Sequence, residues 1–182
     1  LEFNFLSHFP EYEYLIKKKV CHIYPPQELF ISKFEEKPID LRGKLKFIFV
    51  GREFYRKGGY DILRCFERLS DNYGFKLIIV SSLKNINRHL FSEEKELEIK
   101  RIIEKYTGSW LTYYSELENE AVIRLMKGCH VGLLPTYSDT FGYSVLELQA
   151  CGCPTITTDV RALPEINNEE TGWMINTGDK NN

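Results

Sequence analysis

The stretch LLPTYSDTFGYSVLELQACGCPTITTD, Leu133 to Asp159, decides the fold. It opens as an apolar strand, crosses a loop carrying Ser138, Asp139 and Thr140, and enters an apolar helix at Phe141-Gly142. Gly152 stops that helix and Pro154 opens a second strand. A strand, a helix and a second strand in this order form a crossover unit, which joins parallel strands. The helix start points at an open loop, where free backbone N–H groups and the helix dipole favour an anion. Two carboxylates, Asp139 and Glu147, stand at this place with seven residues between them.

The alternation extends on both sides. LKFIFVG, from Leu45, is a continuous apolar run closed by glycine, which predicts a strand buried on both faces. Ile62, Leu63, Phe66 and Leu69 then recur at helical spacing, and FKLIIVSS, Phe75 to Ser82, reads as a second buried strand. Ile99, Ile102, Ile103 and Tyr106 mark another helix, with Ser92 as its N-cap and Glu93 and Glu94 in its first turn. WLTYY, Trp110 to Tyr114, is a third strand. Ser115 and Glu118 read as a capping box before the helix of Ala121, Val122, Leu125 and Met126, which Gly128 ends. HVGLLPT gives a fourth strand, PTITTD a fifth, and a short sixth is expected near Trp173 to Ile175.

This pattern is a doubly wound α/β domain, a parallel sheet covered on both faces. It is expected over residues 41–182, with an irregular interdomain segment over 1–40. Pro10, Pro25 and Pro26 interrupt that segment, leaving room for a short helix or arm and a strand near Val20 to Tyr24. The run Lys17-Lys18-Lys19 reads as a solvated face.

Composition narrows the class. With 43% hydrophobic and 27% charged residues, the 182 residues can build one core. A net charge of −2 argues against nucleic acid as a partner. The five cysteines are odd in number and show no C-x-x-C spacing, so neither a zinc site nor a disulfide framework is indicated. Reduced cysteines fit a cytoplasmic protein, with Cys65 and Cys129 read as small hydrophobes. The start at Leu1 suggests a piece of something longer.

In a doubly wound sheet ligands sit at the C-terminal ends of the strands, so the loops there carry the question. After the first strand come Gly51 and Arg52, then Lys57, Gly58 and Gly59 opening a helix. Arg52 offers a planar fork to phosphate oxygens and Lys57 a mobile point charge. A surface turn with solvated charges is the competing reading. The spacing is neither G-x-G-x-x-G nor G-x-x-x-x-G-K-[ST], which removes the main support for nicotinamide cofactors and P-loop chemistry.

Asp139 either caps a helix or faces sugar hydroxyl groups, since a carboxylate beside a diphosphate is otherwise repulsive. Glu147 lies among Val145, Leu146 and Leu148 and needs a partner, either an internal cation or a pair of ribose hydroxyls. YYSEL, Tyr113 to Leu117, could offer a nucleobase an edge and an aromatic face, although aromatics beside a strand are more often core. His22 and His89 lack a nucleophile or carboxylate at catalytic spacing, and His130 reads as a satisfied core histidine. No Asp-x-Asp pattern or ligand cluster suggests a catalytic metal.

These residues resemble the C-terminal, donor-binding domain of retaining GT-B glycosyltransferases of sequence family 4. FVGREFYRKGG is similar to that family's G-R-x4-K-G loop, SDTFGYSVLELQACGCP to its E-x-F-G-x4-E segment, and TDVRALPEI to the tail that follows. The resemblance implies that Arg52 and Lys57 hold the donor diphosphate beside Gly51, assisted by the N–H groups of Phe141, Gly142, Tyr143 and Ser144. It further implies that Glu147 binds the ribose and Asp139 the transferred sugar. Arg52, Lys57 and Asp139 are thus the expected catalytic residues, acting on a nucleoside-diphosphate sugar without metal or cofactor.

The acceptor, whether glycan, lipid carrier or small glycoside, would be bound by a separate N-terminal domain, through which the protein could also lie at a membrane surface. Asp139 replaces the usual glutamate, and Arg161-Ala162 stands where glycine-like residues are common. A GT-B nucleotide-sugar epimerase and a non-catalytic nucleotide- or partner-binding module are the alternatives.

Overall fold

The computed structural model describes residues 10–12, 14, 23–33, 37, 43–84 and 92–178. Six parallel strands form one sheet: β1 (Leu45–Val50), β2 (Phe75–Val80), β3 (Leu111–Tyr114), β4 (Val131–Leu134), β5 (Thr155–Thr158) and β6 (Gly172–Ile175). Between them run α1 (Gly59–Leu69), α2 (Glu93–Tyr106), α3 (Asn119–Lys127), α4 (Tyr143–Ala150) and the short α5 (Leu163–Ile166). The strand order is β3-β2-β1-β4-β5-β6. From β1 the chain winds outward to β3, returns to β4 on the other side of β1, and winds out again. The adjacent pair β1 and β4 is therefore the point where the order reverses, and their C-terminal ends border the crevice of such folds.

Alternation along the strands sorts side chains into two cores. Phe49 of β1 with Leu77 and Ile79 of β2 packs against Ile62, Leu63 and Phe66 of α1 and Ile99 and Ile102 of α2. On the other face Ile48 and Val80 meet Val122 and Met126 of α3 and Leu148 of α4. Burying each such side chain is worth about 1.5–3 kcal/mol. Helices thus cover both faces, as the continuous apolar strands require.

Local signals explain most boundaries. Ser92 caps α2 by accepting from the Lys95 N–H at 3.4 Å, with Glu93 and Glu94 in the first turn. The capping box expected at Ser115 and Glu118 is not formed. Helix α3 starts at Asn119, Glu118 occupies the N-cap position without a side-chain bond, and Ser115 is left exposed. The reason is register: Ser115 lies right at the end of β3, too far ahead of the first turn. Cys65 also departs from expectation. It is exposed, because it sits at the margin of the α1 stripe formed by Ile62, Leu63 and Phe66, whereas Cys129 is fully buried.

Most of residues 1–22 lie outside the described residues, including Cys21, His22, the lysine run and most of the strand expected at Val20–Tyr24; His89 lies outside too. Residues 23–33 are irregular and contain no strand. They follow α4 along its length. At the N-terminal end of that helix the ring of Tyr24 stands 6.3 Å from that of Phe141, centroid to centroid. At its C-terminal end the N–H groups of Phe30 and Ile31 both donate to the Ala150 carbonyl, at 3.0 and 3.3 Å. Lys37 completes the attachment. Its buried Nζ donates to the carbonyls of Cys151 (2.8 Å) and Met126 (3.3 Å) and to Cys153 Sγ (3.1 Å). These carbonyls close α4 and α3, where helix dipoles favour a cation. Among the described residues, no helix is long and apolar enough to cross a membrane.

Candidate functional site

The loops after β1 and β4 are stitched together. Arg56 donates to the Ser138 carbonyl and to Glu53, at 2.7 Å through Nε for the latter. In return the Arg56 carbonyl accepts from the Tyr137 N–H at 3.0 Å and from Thr136 Oγ1 at 3.2 Å. Arg56 drew no attention in the sequence because its partners in the loop after β4 are mostly main-chain groups, far along the chain.

This stitching places Lys57 beside Asp139. The Lys57 Nζ stands 3.1 Å from Asp139 Oδ2, and both side chains are mostly buried, at 16% and 11% exposure. The alignment is that of an ion pair rather than a directed hydrogen bond. The lysine stem crosses Gly51 so closely that a β-carbon there would lie 2.5 Å from Lys57 Cδ. The other carboxylate oxygen, Asp139 Oδ1, accepts from the Gly142 N–H at 3.2 Å. Asp139 therefore anchors the α4 start, as the capping reading expects, and also pairs with the Lys57 cation.

Gly142 sits at φ 87, a left-handed conformation, and any β-carbon would lie 2.6 Å from Leu163 Cδ2 of α5. Glycine alone satisfies both constraints. The turn leaves the first N–H groups of α4 facing out. Val145 N–H bonds back to the Gly142 carbonyl at 2.8 Å, whereas those of Tyr143 and Ser144 have no partner among the described residues. The buried Ser144 Oγ is likewise unpaired. Of the N–H groups expected to meet an anion, that of Gly142 is thus already held by Asp139. Phe141 is half-buried and Tyr143 exposed, their rings 5.6 Å apart.

Glu147 lies one turn further along α4, half-buried, with no hydrogen bond or ion pair from its side chain among the described residues. Burial pushes its carboxyl above the usual range, and the Lys57 charge opposes that rise only in part. The internal cation that would have explained it is committed to Asp139. Arg52 leaves the end of β1 exposed and likewise without a partner among the described residues.

Other candidates are absorbed by the fold. His130 is buried, and its Nδ1 accepts from the Lys46 N–H at 3.0 Å. Tyr113 and Tyr114 pack into opposite cores, and the Tyr113 hydroxyl donates to the Ser81 carbonyl at 2.8 Å. Arg161 is exposed and adopts φ 55, a left-handed backbone that explains why glycine suits this position.

The arrangement joins a cation, a free carboxylate and open helix N–H groups at the strand-order reversal. The family model for glycosyl transferases group 1 matches residues 32–182. The chain belongs to that family. It is 27% identical over 137 residues to the capsular polysaccharide biosynthesis glycosyltransferase CapM of Staphylococcus aureus, covering 72% of this chain and 32% of the relative. The lipopolysaccharide outer core galactosyltransferase WaaB superposes with a TM-score of 0.65 at 17% identity, over 92% of this chain and 46% of that one. Anabaena HepE in complex with UDP-glucose superposes with a TM-score of 0.57 at 16% identity, over 74% and 35%. The group 1 domain thus has the Rossmann-like fold of GT-B glycosyltransferases, and it spans about a third of the length of CapM.

Proposed function

We propose that this domain binds the nucleoside-diphosphate sugar in a metal-independent glycosyl transfer that retains anomeric configuration, as in sequence family 4. Lys57 and Arg52 neutralise the diphosphate, and the N–H groups of Tyr143 and Ser144 with Ser144 Oγ donate to its oxygens. Glu147 accepts from the two ribose hydroxyls, and Asp139 from hydroxyls of the sugar. As the bond from the anomeric carbon to the diphosphate breaks, negative charge grows on the leaving oxygen, and fixed donors there lower the barrier. Acceptor binding is assigned to a partner domain of the same protein, which completes the cleft.

The observation that carries this reading is Lys57 at 3.1 Å from Asp139, at the open end of α4. It brings the two separate sequence motifs to one point. Glu147, half-buried without a partner among the described residues, adds independent support. A thermal-shift panel of UDP-, GDP- and ADP-sugars tests it. One of them should raise the melting temperature with the logarithm of its concentration, and Lys57→Gln and Glu147→Gln should each abolish the shift. No shift with any of them would refute the reading.

A further inference from the structure

This inference rests on the donor reading and concerns how the site tells an intact donor from its spent form. Asp139 holds Lys57 Nζ on one oxygen at 3.1 Å and the Gly142 N–H on the other at 3.2 Å. Both donors belong to the groups that face an incoming diphosphate. The carboxylate is mostly buried, and among the described residues these two are its only partners. A diphosphate arriving at the α4 start must compete with Asp139 for Lys57, and it also meets a like charge of low exposure.

Sugar hydroxyls change that balance. They donate to a carboxylate, so a ligand carrying a sugar supplies Asp139 with new partners while its diphosphate takes Lys57. A nucleoside diphosphate without sugar takes the lysine and returns nothing, leaving a mostly buried carboxylate without its cation beside the negative charge of the diphosphate. We propose that Asp139 is a resident counter-ion that sets the preference of this site for an intact nucleotide-sugar over the nucleoside diphosphate left after transfer. Once the sugar departs, Asp139 recaptures Lys57 and favours release of the spent nucleotide.

Isothermal titration calorimetry on the 182-residue protein tests this with UDP against UDP-glucose, GDP against GDP-mannose and ADP against ADP-glucose. Asp139→Asn keeps an oxygen for the Gly142 N–H and removes the charge. Nucleoside diphosphate should then bind about tenfold tighter, while the nucleotide-sugar gains less or weakens, so the ratio of their Kd values falls by about tenfold. Asp139→Glu retains the charge and should keep the ratio within about threefold of wild type. Asp139→Ser, which also lacks the charge, repeats the test should the asparagine variant fail to fold. An unchanged ratio in the charge-removed variants, with wild type binding normally, overturns this inference alone. Weaker binding of both ligands by these variants does the same. No binding of any of the six ligands to wild type or variant overturns the donor reading and this inference together.

Discussion

The guanidinium of Arg56 donates to the carbonyl oxygen of Ser138, 82 residues further along the chain. Its own carbonyl accepts from Tyr137 and Thr136, so one residue ties the loop after β1 to the loop after β4. Arg56→Ala should destabilise the domain by about 1–2 kcal/mol, because the Ser138 carbonyl loses the guanidinium and keeps only the Thr136 hydroxyl at 2.9 Å. It should also weaken nucleotide-sugar binding about tenfold, as Lys57 loses its fixed place near Asp139. Arg56→Lys should recover only part, since a single ammonium cannot span Ser138 and Glu53. Calorimetric Kd values beside melting temperatures check both expectations.

Glu147 provides a pH signature. Burial raises its carboxyl in the folded state, so the folded protein binds this proton more readily than the unfolded chain does. Ionised Glu147 therefore destabilises the fold at neutral pH, and the penalty shrinks as pH falls below the raised value and is gone below the value of the unfolded chain. Glu147→Gln should melt at a higher temperature than wild type at pH 7 and lose that advantage on acidification through the carboxylate range, while donor binding is lost. Melting curves from pH 4 to about pH 8 would show the convergence.

Thiol reactivity should follow burial. Desolvation pushes the Cys129 thiol up to about 12 and that of Cys151 to about 11, and Cys153 is raised as well, whereas Cys65 is exposed. At pH 8 the Cys129 thiolate amounts to about one part in ten thousand. Iodoacetamide should thus modify Cys65 in the native protein and spare Cys129, Cys151 and Cys153 until denaturant is added. Peptide mass mapping reads the result.

Lys37 is buried with all its hydrogen bonds directed at the ends of α3 and α4. Lys37→Met keeps the stem and removes the donors, leaving the Cys151 carbonyl without its partner, while the Met126 carbonyl keeps the Cys129 N–H at 3.1 Å. Loss of about 2–4 kcal/mol is expected, read as a lower urea midpoint at constant slope.

Much of this molecule was legible in the chain because local rules act strongly. The apolar runs at Leu45, Phe75 and Val131 are strands buried on both faces, and Ser92 marks its helix start by its own hydroxyl. Phe141-Gly142 placed the start of α4 because only glycine tolerates the φ of 87 found there. What escaped depends on distance through space. Lys37 gave no sign of its destination, 114 residues away at Cys151. Ser115 and Glu118 have the right spacing for a cap but stand in the wrong register to the first turn. The pairing of Lys57 with Asp139 emerges only when the two loops are folded onto each other.

One consequence concerns the irregular ribbon of residues 23–33, together with Lys37. It touches α4 at Phe141 and again at Ala150 and Cys151, so the helix and the ribbon are fastened at both ends. Elements joined in this way open together rather than singly. In deuterium exchange the amides of α4 should unlock in step with those of residues 23–33, giving a single cooperative unit.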